Sequence, residues 1–150
     1  MTSNPRVNRY LKDKAMDHID HALGRPVDPL GETYRNHFAT DGEQARQFAA
    51  SPNWEKVGQR DDMAFFAVTD IGKWALKDHL EAIGDPWAPY AVTWEGHTVV
   101  IAAKSLGNAK YSTYLDVKDS YSELRFVDFV REAEVRRVAA RASTKEARYA

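Results

Sequence analysis

A chain of 150 residues with 43% hydrophobic and 29% charged side chains has a globular balance and is long enough to bury a core without disulfide or metal. The lack of cysteine removes disulfides, thiolate nucleophiles and thiolate zinc sites, and no apolar run reaches the roughly 20 residues that span a bilayer. A net charge of -1 weighs against a nucleic-acid binder that uses its whole surface.

Asn4-Pro5 is a good helix start, and Val7, Leu11, Ala15, Ile19 and Leu23 recur at helical spacing up to Gly24 and Pro26. This predicts one amphipathic helix over residues 5–23, with Lys12, Asp13, Asp17, His18, Asp20 and His21 on its polar side. Residues 25–39 read as loop. Thr40 and Glu43 have capping-box spacing and open a short helix to about Ala50. Ser51-Pro52 starts a turn through Trp54 and Val57 that Gly58 closes, followed by a polar loop, Gln59 to Asp62. Met63–Val68 is rich in strand formers, and Thr69 caps a helix that ends at Gly84.

Asp85-Pro86 is the best internal boundary. Beyond it, Tyr90–Trp94 and His97–Ala102 flank Glu95-Gly96 as a hairpin. Ser105 begins a helix to about Tyr121, Phe126, Phe129 and Val130 suggest a further short one, and Ala133–Val138 suits a third strand returning to the hairpin. The class is therefore α+β: a helical, winged-helix-like lobe over residues 1–84 with Gln59–Asp62 as wing tip, a small β-β-α-β lobe over 85–141, and a flexible tail over 142–150.

Chemistry-bearing motifs are scarce. No phosphate loop, dinucleotide fingerprint or nucleophile elbow occurs, so no catalytic residue and no cofactor is expected. His18 and His21 lie three apart on one predicted helical face with Asp17 beside them, a partial ligand set for zinc or iron that lacks a third fixed ligand. A metal-dependent enzyme at that pair is the remotest reading. Aromatic residues are more informative. Tyr111, Tyr114 and Tyr121, with Lys118, Arg125, Arg136 and Arg137, are the expected partner-binding residues, because tyrosine and arginine concentrate binding energy at interfaces. From Leu124 onward seven Lys/Arg meet four acids, a balance of +3, while the preceding 123 residues carry -4. That asymmetry allows a DNA-binding accessory factor as the alternative, with weak binding at most because acids are interleaved with the bases.

Two stretches carry a resemblance. "HALGRP…YRNHF" (His21–Pro26, Tyr34–Phe38), with Trp54, Gly58 and "FAVTDIGKWAL", resembles small uncharacterised proteins of bacteriophages and prophages. "VTWEG…AKYSTYLDVKDSYSELRFVDF…VRR" looks like another recurrent phage-encoded segment, and together they cover roughly residues 15–138. The resemblance implies a phage or prophage accessory protein in the bacterial host cytoplasm, of a kind that often binds and redirects host or phage machinery. With no catalytic constellation in the sequence, a non-enzymatic binder of a host or phage protein is the expectation. It assigns no active-site residue.

Overall fold

The first helix begins later than its apolar spacing predicts. In the computed structural model, which describes residues 4–138, helix α1 spans Lys14–Leu23 and residues 5–13 are not helical. Asp13 takes an extended backbone and its carboxylate accepts the Met16 N–H, a strong N-cap. The Asp17 carboxylate accepts the Leu11 N–H, which ties the incoming segment across the first turn. Val7 and Leu11 are buried as expected, but without a helix. The expected polar side is also corrected, because Asp20 is fully buried.

Among the described residues, Asn8–Asp85 form one compact unit, and residues 86–138, with those before Asn8, form a second. In the first unit, strands β1 (Phe38–Thr40), β2 (Trp54–Arg60) and β3 (Met63–Val68) make an antiparallel sheet in the order β1-β3-β2. Helix α2 (Gly42–Ala50) lies between β1 and β2, and α3 (Asp70–Ile83) follows β3. Two stretches expected to lack strand therefore contribute one each. The stretch read as loop over 25–39 ends in β1, extended by Asn36, whose side-chain amide bonds both N–H and C=O of Val68. The stretch read as turn and polar loop over Ser51–Arg60 is largely β2, with a bulge between Lys56 and Gly58 and a turn at Asp61-Asp62. Pairing with the strongly apolar β3 overrides its weak local strand preference. Thr40 does not cap α2. Asp41 sits at the cap position and the Thr40 hydroxyl donates to Gln44 Oε1.

Thr69 caps α3 as its spacing predicts, accepting the Gly72 N–H. Gly72 is required there, since an added Cβ would stand 2.5 Å from the Asn53 carbonyl oxygen. The core gathers Ile19, Leu23, Phe48, Trp54, Phe66 and Leu76, with Phe48 stacked on Trp54 at 4.1 Å.

The second unit matches the expected element order. Strands β4 (Ala88–Trp94) and β5 (His97–Ala103) form the hairpin, and β6 (Glu134–Arg137) pairs with β4, giving the antiparallel order β5-β4-β6. Glu95 and Gly96 both have positive φ, 51° and 76°, the signature of a type I′ turn. Ser105 caps α4 (Leu106–Val117), which ends earlier than expected in a 3₁₀ turn over Lys118–Ser120, and α5 (Phe126–Glu132) leads into β6. The core holds Tyr90, Val92, Ala103, Ala109 and Phe129. The tail assigned to 142–150 lies outside the described residues. Among the described residues no helix is long and apolar enough to cross a membrane.

Candidate functional site

Helix α4 is apolar on two sides, and only one is covered. Ala109 and Thr113 are buried toward the sheet, whereas Tyr111 and Leu115, one turn apart, remain exposed on the outer side. Tyr111 keeps 51% of its surface. Its ring meets Phe126 edge-on at 5.5 Å, and Phe126 and Val127 at the start of α5 are exposed as well. Tyr114 lies half-buried behind them. It packs on Phe126 and Phe129, and its hydroxyl donates to the Leu124 carbonyl. Phe129 touches Trp94, and Trp94 meets Tyr121 at 5.0 Å with ring planes at 87°. A continuous series of rings thus runs from Tyr111 through the core to Tyr121, which is 52% exposed.

Trp94 and Tyr121 form two walls of an open pocket of about 800 Å³. Three carboxylates line it: Glu95 from the hairpin turn, Glu123 from the loop before α5, and Glu132 from the end of α5. The Trp94 indole N–H donates to Glu132 Oε2 at 3.0 Å, which orients both groups. His97 also lines the pocket, and no lining residue is Lys or Arg.

The other carboxylate cluster lies in the first unit and is satisfied internally. Arg9 makes a bidentate bond to Asp20 at 2.9 Å on both arms, and its guanidinium also bonds Asp85 and the Pro26 carbonyl. Arg25 bonds Asp17 and the Arg9 carbonyl, and its guanidinium stacks on the Tyr10 ring at 4.4 Å. Burial pushes the Asp17 carboxyl up, but the Arg25 hydrogen bond, the Leu11 N–H and the Arg25 charge outweigh this and hold it below its usual range. The non-helical run before α1 makes this network possible. On a continuous helix Arg9 and Asp20 would stand about 16 Å apart along the axis.

The predicted interface residues divide into groups. Tyr111, Tyr114 and Tyr121 join the aromatic series, and Lys118 is exposed in the 3₁₀ turn. Arg125 is exposed and engaged with Asp128 one turn on, and Lys110 donates to the Val130 carbonyl. Arg136 and Arg137 are exposed on β6 and point to opposite faces. Arg137 pairs in register with the core-facing Tyr90, and Arg136 pairs with Ala91 on the face turned away from α4. The structure therefore does not bring Arg136 beside the tyrosine helix. His18 and His21 pack their rings against Phe38, at 5.3 and 5.9 Å. Among the described residues no group of three His, Asp or Glu is placed to hold a metal ion.

Trp94, Phe126, Glu95, Glu123 and Glu132 escaped the sequence reading as site residues. The one local signal was the exposed hairpin turn that carries Glu95; Trp94 and Glu132 are 38 positions apart and meet only through the β4–β6 pairing. Searches against protein-family models, curated proteins and solved structures find no match to this chain.

Proposed function

We propose that this chain is a non-enzymatic binding protein that docks onto a protein partner through the aromatic face of its second unit. The observation that supports it most is the set of exposed apolar side chains Tyr111, Leu115, Phe126 and Val127, which the fold holds together on α4 and the start of α5. Ordered, half-exposed aromatic rings supply large contact area at small entropic cost, which is where binding energy concentrates in interfaces. The resemblance to phage and prophage accessory proteins supports a host or phage protein in the bacterial cytoplasm as the partner, in the manner of a host-takeover or anti-defence factor.

A DNA-binding accessory role is the second reading, favoured by the β1-β3-β2 sheet with its β2–β3 hairpin, an order shared with winged-helix proteins. A single helix, α2, stands between β1 and β2, where a helix-turn-helix needs two. The test is affinity capture from bacterial lysate, with and without nuclease, using wild type and a Tyr111→Ser/Phe126→Ser variant. The protein-binding reading expects a nuclease-resistant partner that the variant loses while it stays folded at the capture temperature, although losing the Phe126 packing on Tyr114 lowers its melting point. Capture that vanishes with nuclease, or that the variant retains in full, overturns it.

A further inference from the structure

The pocket beside Tyr121 has a chemistry that differs from the rest of the aromatic face. We propose that it receives the cationic side chain of an arginine or lysine on the protein partner, an inference that rests on the protein-binding reading above. Three features converge on a cation. Glu95, Glu123 and Glu132 approach the pocket from three separate segments, and no lining lysine or arginine neutralises them. Trp94 and Tyr121 both line the pocket with their ring planes perpendicular, so aromatic surface adjoins the carboxylates, and aromatic rings attract a cation. The indole N–H occupies one lone pair of Glu132, and a carboxylate accepts through two oxygens, so capacity for a further donor remains.

The geometry also discriminates among ligands. A phosphate or nucleic-acid backbone meets three negative charges here and is repelled. A bare metal ion needs ligands converging within about 2–2.6 Å of one point, and the described residues supply no such group. The pocket is open to solvent, so a planar guanidinium or an ammonium can enter on its stem while the flanking peptide stays outside. The position of Glu95 strengthens the design of a test. Its φ of 51° is one that asparagine adopts more readily than glutamate, so Glu95→Asn removes a carboxylate without harming the hairpin.

The experiment uses N-acetyl-arginine amide as probe and its neutral citrulline isostere as control, read by the shift of the Trp94 indole N–H in proton–nitrogen NMR spectra, assigned with Trp94→Phe. The expected result is a saturable shift with the arginine probe, little with citrulline, and affinity at least about threefold weaker in Glu95→Asn and in Glu132→Gln, which keeps an oxygen to accept the indole bond. An equal response to citrulline, or affinities unchanged in both variants, overturns the cation site. Because the probe needs no partner, the two readings fail separately. A partner lost with Tyr111→Ser/Phe126→Ser but held undiminished by Glu95→Asn and Glu132→Gln leaves the interface standing and sinks the pocket. A selective arginine response with no captured partner sustains the pocket chemistry and removes the protein-binding reading.

Discussion

Each unit gathers three carboxylates, and the two gatherings end differently. In the first unit Asp17, Asp20 and Asp85 meet Arg9 and Arg25 of the same chain, with Asp20 fully buried and bonded on both oxygens. In the second, Glu95, Glu123 and Glu132 surround an open pocket with aromatic walls and no arginine or lysine in its lining. Carboxylates whose counter-cations come from their own chain are spent on the fold, since leaving a buried charge alone costs several kcal/mol. Carboxylates left at a solvated pocket cost little while empty and attract a cation from outside. The origin of the counter-charge, rather than the number of acids, separates a structural cluster from a recognition site.

The sharpest way to break this comparison is Asp20→Ala. It removes both Arg9–Asp20 bonds from the interior and leaves Arg9 only Asp85 and the Pro26 carbonyl, and the expected loss is about 3 kcal/mol, read from the urea midpoint. A loss under about 1 kcal/mol would show that the network is dispensable to the fold.

Tyrosines sharpen the contrast within the second unit. Tyr114→Ala removes a half-buried ring and its hydroxyl bond to Leu124, and is expected to cost about 2–3 kcal/mol of stability. Tyr111→Ala, on the exposed side, is expected to cost less than about 1 kcal/mol while weakening partner capture more strongly. Paired melting and capture measurements separate the two roles, and equal stability losses would collapse them.

Acid provides a third probe. The folded state holds the Asp17 carboxyl below its usual range, so the unfolded chain binds its proton first as pH falls. The stability from Asp17 is therefore fully present above the unfolded value of about 3.9 and is lost as pH drops through the lower folded value. Wild type and Asp17→Asn should differ most near neutral pH and converge at strongly acidic pH in parallel denaturation curves. A difference independent of pH would mean that the Arg25 contact is not what holds the carboxylate.

The smallest expected effect is at Glu95. Replacement by asparagine in a type I′ turn should raise stability by a few tenths of a kcal/mol, up to about 1, even as it weakens the arginine probe. A destabilised Glu95→Asn would show that the glutamate makes a folding contact and does not stand open at the pocket.

The sequence by itself determined much of the second unit. The hairpin about Glu95-Gly96, the Ser105-capped helix, the short helix at Phe126 and the returning strand at Glu134 all follow from local signals: alternation, a turn pair, a cap and apolar spacing. The first unit was less legible. Strands β1 and β2 exist because β3 lies between them, and residues 5–13 leave the helix because Arg9 finds Asp20 and Asp85. Those partners lie 11 and 76 positions from Arg9, beyond the reach of any periodicity. The candidate site shows the same division. Tyr111 and Tyr121 stood out by residue type, but that Tyr114 faces inward and Arg136 faces away follows only from packing and strand register. Tertiary structure alone decided that Trp94, Tyr121 and three glutamates share one pocket, because strand pairing and helix packing bring together side chains that no local pattern connects.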